Sequence, residues 1–583
     1  MKCNNCGAKM QPGEKFCPVC GQQAENQVEN EKEQLGALPN HVKKPKKSSG
    51  FKIGIAIALI AVLALGTVAG AKVIGMIKKA GMSPAEYYQY VETKNRDSGE
   101  KLILGYYDKF RESFAGDSYA KEIKMKIEAS NTAKSLLSLT GLDITNVKNL
   151  ELNLLTGKEG KAYSNQMKLR GNGSDLLTFN TYMDWKDKKA YYQIPELSQS
   201  YLDISDILSS EKTAEVDQEG GSLDGAEADS SVEDLNIALA GTFLPLYDLD
   251  SILVETDDIK EIYERYTDLL IKSANNVKKS EGGCEAEGVS QKADQYSVTL
   301  EDKEVTTLAK KFVETLKSDQ TIKEIVENMG QDTYQEYTDR LERELDSIEG
   351  TQAGEIEAVM DVQVDSKDRI IGRKITLTWK DGSEQEERII DMRCPRDGDN
   401  FGLTFSVEAD GEEILSLHGR GTEKLGIVNG EFTLDTNGSL NLTDNSLLSA
   451  GKLLIVTLED YDLSKYAEGK MSGTITYSTE AVASLANYFL KIEGGGDMKE
   501  SSGKITILAG KEPFVTVHVT MNSDVELGTT KPSKSDTVYD LNDSGDMAAY
   551  QSEMDILELL EDVQEKLEID FSDFFRILWK NML

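Results

Sequence analysis

Apolar positions along this chain change period several times, and each change marks a different kind of element. Residues 53–71, IGIAIALIAVLALGTVAGA, run nineteen positions without a charge. With 73–77 added, a helix rising ~1.5 Å per residue is long enough to cross a bilayer core of ~30 Å. Ser83, with Pro84 at the first helical position, then opens helices that reach about Phe114. From there the period falls to two. Ile123, Met125, Ile127 and Ala129 alternate with Lys and Glu, the pattern of a strand with one wet face. Similar strands are predicted around Leu150, Met167, Phe179 and Tyr191, with Asn172-Gly173 as a hairpin turn.

Residues 210–232 carry acidic and small residues with no apolar period and read as a disordered loop. Helical patterns occupy about 258–278 and 303–348. Alternation returns at Ile356, Ala358, Met360, Val362 and Val364, and again at Ile375, Leu377 and Trp379. Closely spaced turn dipeptides, Asp381-Gly382, Asp410-Gly411, Asn429-Gly430 and Asn437-Gly438, predict an up-and-down antiparallel meander. Near the C-terminus, Ile556, Leu560, Val563 and Leu567, then Phe571, Phe574, Phe575 and Leu578, fall on one side of a pair of amphipathic helices. Strands, then helices, then strands suggest two α+β lobes of related layout.

Charge divides the chain in two. The whole carries −37, yet residues 1–52 hold nine Lys and five Glu, a net of +4, so the remainder carries −41. A body this acidic repels phosphate backbones, which argues against nucleic-acid binding by the large part.

Four cysteines stand in the first twenty residues, MKCNNCGAKMQPGEKFCPVC. Cys3 and Cys6 form one C-x-x-C, Cys17 and Cys20 another, and each is followed by a glycine, Gly7 and Gly21. Two residues between thiolates let one tight turn aim both sulfurs at a single tetrahedral ion, and the glycine lets the backbone turn without a Cβ clash. Ten residues between the knuckles allow a short hairpin. Disulfides would need an oxidising compartment, and a redox C-x-x-C needs a thioredoxin-like context that is absent. The expectation is one structural zinc ion with all four positions filled by thiolate, which leaves no open position for catalysis. The CNNCG and FCPVCG knuckles resemble the bacterial zinc-ribbon domain found at the N-terminus of single-pass membrane proteins of Gram-positive bacteria. The resemblance covers residues 1–22 and implies Cys3, Cys6, Cys17 and Cys20 as ligands. With Lys2, Lys9 and Lys15 as its only cations, this ribbon is expected to meet a cytosolic protein rather than nucleic acid.

A cleavable leader competes with an anchor for the apolar run, since Ala69 and Ala71 mimic a cleavage site. A 52-residue leader carrying a folded ribbon is too long, so the run is read as a span. Lys43, Lys44, Lys46, Lys47 and Lys52 precede it, against Lys72, Lys78 and Lys79 after it, which places the N-terminus in the cytoplasm and the acidic bulk outside. Within the span, Gly66 and Gly70 form a G-x-x-x-G that would let two helices meet in a homodimer, although glycine is common in any span.

The outer part carries His418 and His518 but no H-E-x-x-H, G-x-S-x-G or G-x-x-x-x-G-K. Its S-x-x-K pairs lack companion motifs. Asp365, Asp368, Asp397 and Asp399 sit in polar turns that match no twelve-residue calcium loop. Cys284 and Cys394 are the remaining cysteines, and two readings stay open for them: a disulfide, or two free thiols.

The expected class is α+β: a zinc ribbon at 1–22, a flexible basic-ended linker at 23–52, a transmembrane helix at 53–77, an ectodomain lobe at 80–350, a second, antiparallel β lobe at 351–545, and C-terminal amphipathic helices at 546–583. The expected function is a noncatalytic envelope protein, anchored in the cell membrane, whose ectodomain binds a ligand or protein. A hydrolase of envelope polymers is one alternative. Another is a lipid-binding ectodomain, by a loose fold-level likeness to bacterial lipoproteins that hold apolar molecules against a curved sheet.

Overall fold

A computed structural model of the chain describes residues 81–114, 116, 118–138, 144–205, 254–328, 331–349, 356–381, 384–436, 451–480, 487–526 and 528–569. The ribbon, the linker, the 53–77 run with Gly66 and Gly70, the acidic loop and the aromatic end of the C-terminal segment lie outside the described residues.

Helix α1 spans Pro84–Phe114. Its start is closed reciprocally: Ser83 N–H donates to Glu86 Oε2 at 2.7 Å, and Glu86 N–H donates to Ser83 Oγ at 3.3 Å. Strand β1 (Ser118–Ala129) and helix α2 (Asn131–Ser138) follow, then β2 (Leu150–Glu159), β3 (Ala162–Gly171), β4 (Ser174–Asp184), β5 (Lys189–Gln193) and β6 (Tyr201–Asp203). Helix α3 (Thr256–Ser273) leads into the hairpin β7 (Val277–Ala286) and β8 (Val289–Leu300), and then helices α4 (Asp302–Ser318), α5 (Gln320–Asn328) and α6 (Gln331–Glu349). Strands resume with β9 (Ile356–Val364), β10 (Ile370–Asp381), β11 (Glu384–Arg393), the short β12 (Arg396–Asp397), β13 (Asn400–Ala409), β14 (Glu412–Lys424) and β15 (Ile427–Thr436). After these come β16 (Gly451–Asp462), β17 (Met471–Ser478), β18 (Tyr488–Gly496), β19 (Glu500–Ala509), β20 (Glu512–Asn522) and β21 (Val538–Asp540), with helices α7 (Ser544–Glu553) and α8 (Ile556–Leu567) at the end.

All these strands belong to one sheet. Its order runs β21, β6, β5, β4, β3, β2, β1, β20 and then down through β19, β18, β17, β16, β15, β14, β13, β11, β10, β9, β8 and β7, antiparallel throughout except for β21 beside β6. No break in the sheet falls at residue 350, where the sequence suggests a lobe boundary: β8 pairs with β9 across it, and β1 pairs with β20 from the far end of the chain.

Two of the predicted turns form as expected. Asn172-Gly173 and Asp410-Gly411 both take positive φ, the geometry that a two-residue hairpin of strong twist requires. Asn429-Gly430 does not form a turn. Leu425 and Gly426 take the left-handed conformations instead, at φ 55° and 90°, and Asn429 falls at a register shift inside β15. The hairpin β7–β8, whose polar stretch SEGGCEAEG carries no apolar alternation, turns at Glu287-Gly288 and crosses β13 so closely that a Cβ on Gly402 would lie 2.0 Å from the Ala286 carbonyl oxygen.

Buried apolar clusters lie toward the ends of the strand order. Tyr88 and Val91 of α1 pack with Tyr296, Val298, Val362 and Ile370 from β8, β9 and β10. Leu567 of α8 packs with Leu176 and Val147 beside β4. Between them α1 runs as a beam along one margin of the sheet. Tyr87 Oη donates to Asp368 at the β9–β10 turn at 2.5 Å, the Tyr106 ring stacks on Tyr466 between β16 and β17 at 4.5 Å, and Ser113 Oγ donates to the Met498 carbonyl at the β18–β19 turn at 3.1 Å. A 31-residue helix is ~46 Å long, and eight strand spacings of ~4.8 Å come to ~38 Å, so the beam is long enough for the margin it follows.

Candidate ligand-binding face

Residues directly opposite one another on paired strands share a face, so the registers show what each face carries. One rung reads Leu150, Ile127, Val517, Ile505, Ile492, Ile475 and Leu458 across β2, β1, β20, β19, β18, β17 and β16. The next reads Ala129, Val515, Ile507, Leu490, Tyr477, Val456 and Phe432, reaching β15. The other face carries Lys126, His518, Lys504, Glu493, Thr474 and Glu459 along the corresponding line. The alternation seen in single strands thus becomes one continuous apolar surface, with the ion pairs of β1, β18, β19 and β20 kept behind it. Lys504 and Lys491 both reach Glu493 there, and His518 faces Glu128 at 3.8 Å.

Such a face normally finds cover from a helix or a second sheet. Here no described apolar residue of β1, β2, β16, β17, β18, β19 or β20 is buried, and Ile127, Leu490 and Ile507 are 36%, 37% and 39% exposed. The rung spans seven strands, or six spacings, which at ~4.8 Å each is ~29 Å, about the thickness of a bilayer's hydrocarbon core. Interior strands have both edges paired, so no peptide can add to them as a further strand. What this surface offers is dispersion contact and shelter from water.

A buried cation pins the beam to this region. Lys121 of β1 is 1% exposed and donates to Ser113, to the Met498 carbonyl at 3.2 Å and to Ser523 Oγ at 3.4 Å, with Nζ 4.1 Å from the centre of the Phe114 ring. No carboxylate is among these partners, and burial pushes its ammonium down to about 8. The unfolded chain holds this proton to ~10.4. Below pH 8 both states are charged and the folded one bears the burial cost; from 8 to 10.4 the folded state releases its proton first. Relative to Lys121→Met, the wild type is therefore expected to gain stability, on the order of 2 kcal/mol, as pH rises through that window. Paired urea titrations at pH 7.5 and 9.5 measure it, and a pH-independent difference refutes it.

Asp365, Asp368 and His418, singled out in the sequence, are held by local bonds. Asp365 Oδ1 accepts from the backbone N–H groups of Lys367 and Arg369 at 2.8 and 2.9 Å, and Asp368 joins Tyr87 and Lys94. His418 stands between Asp435 at 2.8 Å and Glu287 at 3.6 Å. Among the described residues no group of three or more His, Cys, Asp or Glu is arranged to hold a metal ion. A cleft of about 550 Å³ opens where the β7–β8 turn meets β13, β14 and β15, with Glu287, Asp397, Asn400, Arg420 and Asn429 around Phe401. Cys284 and Cys394 are free thiols, Cys284 buried against Ala293 and Ile371 and Cys394 beside the Phe401 cluster.

Residues 2–23 match the zinc-ribbon domain family. The chain therefore carries a zinc ribbon at its N-terminus ahead of a large, mostly sheet body with some helices. A search of curated proteins finds no match. The donor set fits the metal: four thiols in two C-x-x-C knuckles would hold zinc as thiolates and let so short a segment fold. Cys6→Ser is expected to cut bound zinc, read by metal analysis of freshly reduced full chain, to below about a tenth of the wild-type content. Unchanged zinc would exclude these ligands. No described helix is long and apolar enough to cross a membrane, and 53–77 lies outside that search.

Proposed function

We propose that this protein is a membrane-tethered lipid-binding protein whose sheet receives acyl chains along its uncovered apolar face. The observation that carries the reading is the pair of register-matched rungs, continuous over seven strands and without a buried apolar residue in β1, β2 or β16 to β20. An acyl chain suits such a surface because it asks for no hydrogen bond and presents no charge. The two rungs hold no carboxylate, histidine, lysine or cysteine for chemistry on a ligand, which favours binding over hydrolysis.

The tether is the 53–77 run, its orientation set by the lysines before it, with the sheet outside the cell and the ribbon in the cytosol. Only six residues separate 77 from Pro84, so α1 and the sheet margin it follows would be held close to the bilayer. The single zinc ion is structural, and the ribbon's sparse cations favour a cytosolic protein as its partner. Gly66 and Gly70 would allow two such tethers to pair.

The test is binding of a long-chain fluorescent fatty acid by the full chain in lipid-free polymer discs. Saturable binding with a blue-shifted emission supports the reading. Emission unchanged from buffer at all protein concentrations rejects it.

A further inference from the structure

Tyrosines gather where helix α1 meets the β16–β17 end of the apolar face. Tyr477 belongs to the second rung, opposite Val456 and Leu490, and Ile475, Gly473 and Met471 precede it on the same face of β17, leading back to the margin that α1 follows. Tyr461, near the end of β16, donates its hydroxyl to the Met471 sulfur at 3.3 Å. Tyr106 reaches down from α1, its ring stacked on Tyr466 with the two planes 9° apart. Burial pushes the Tyr461 phenol above its ordinary range, and Tyr477, Tyr106 and Tyr466 push it further, so the hydroxyls share one electrostatic neighbourhood. They are poorly served there. A thioether is a weak acceptor, and no described residue hydrogen-bonds the phenol oxygens of Tyr106, Tyr466 or Tyr477, although all three side chains are half-buried.

We propose that Tyr106, Tyr461, Tyr466 and Tyr477 receive the acyl oxygens of a ligand whose chain lies along the two rungs, head toward α1 and tail toward β1 and β2. The inference rests on the lipid-binding reading and adds to it the class of ligand, an amphiphile with a carboxylate or ester carbonyl at one end, and its direction on the sheet. A phenol keeps its proton to about pH 10, so near neutrality the cluster offers O–H donors, and an acyl oxygen is the acceptor they lack. Tyrosine suits the junction of chain and head, because its ring meets the apolar part while its hydroxyl meets the polar one. On binding, Tyr461 exchanges a sulfur acceptor for an oxygen, which makes the stronger bond.

The experiment compares the full chain with a variant carrying Tyr106→Phe, Tyr461→Phe and Tyr466→Phe, both prepared as for the fatty-acid test. Each substitution keeps the ring and removes only the hydroxyl. Diphenylhexatriene, a fluorescent hydrocarbon without oxygen, reports on the apolar face, and palmitate or monopalmitoylglycerol competes with it. The dye is expected to bind both proteins equally, while palmitate competes at least about tenfold less well against the variant. A matching loss for monopalmitoylglycerol extends the site to ester carbonyls, and an unchanged ester confines it to the free carboxylate. Unchanged competition by palmitate, with the dye still bound, overturns the proposal and leaves lipid binding standing. Equal losses of dye and palmitate overturn it as well, since the rings and not their hydroxyls would then be responsible. Wild-type protein that binds neither dye nor palmitate overturns both readings. Should the triple variant melt earlier than wild type, Tyr461→Phe alone takes its place: a loss of at least about threefold for palmitate is expected, and no loss overturns the proposal.

Discussion

Arg373→Met is expected to lower the stability of the sheet body by about 3–5 kcal/mol. Arg373 lies on the apolar face, opposite Val362 and Met392, and is covered by α1. Its guanidinium makes two parallel bonds to Glu92 of that helix, at 2.8 and 2.7 Å, and both side chains are nearly sealed from solvent, at 2% and 3% exposure. Methionine fills the space but leaves the Glu92 carboxylate buried without its cation, and that uncompensated charge is the source of the loss. The double variant, with Glu92→Met added, removes both charges and should recover most of the stability. Urea unfolding of the four proteins of this cycle gives the answer. If the double variant is as unstable as the single one, the loss came from packing rather than from the unpaired charge.

The second large effect concerns the open face. Leu490 and Ile507 stand directly opposite each other on β18 and β19, near the middle of the rungs. Leu490→Lys with Ile507→Glu places an opposite-charge pair there. Because both positions are more than a third exposed, and opposite charges across an antiparallel pair attract, folding should shift by less than about 1 kcal/mol. Fatty-acid binding should fall more than tenfold, at least ~1.4 kcal/mol, because an acyl chain would have to strip water from both charges. Unaltered affinity in a variant with unaltered melting would show that the ligand lies elsewhere.

The two faces were legible in the sequence, but the partners were not. Ile123, Met125 and Ile127 announce a strand with one apolar side, and the registers keep the three on one face of β1. Nothing local, however, says that Ile127 meets Val517, because period-two patterning encodes which side a residue faces and is silent about its neighbour. The same blindness hid the continuity of the sheet across residue 350. Strand β7 was missed for another reason: SEGGCEAEG has no apolar alternation, since most of this strand faces solvent and only Cys284 and Ala286 are buried. Asn429-Gly430 misled because Leu425-Gly426 already makes the turn and Gly430 serves instead beside a register shift. Of the candidate site, the ribbon's thiol ligands were readable from spacing, whereas the apolar face emerges only when fourteen side chains from eight strands are laid in register.

The β1–β20 ladder joins residues made early to residues made late. Ile127 must wait for Val517, 390 positions further on (517 − 127), which at ~5–20 residues per second is roughly 20–80 s of synthesis. Throughout that interval β1, already paired with β2, presents a bare edge with an apolar side. A nascent chain in this condition invites strand exchange with its neighbours. Its final yield in a cell should therefore depend on how fast the last hundred residues emerge, and on whatever chaperone shields β1 until they do.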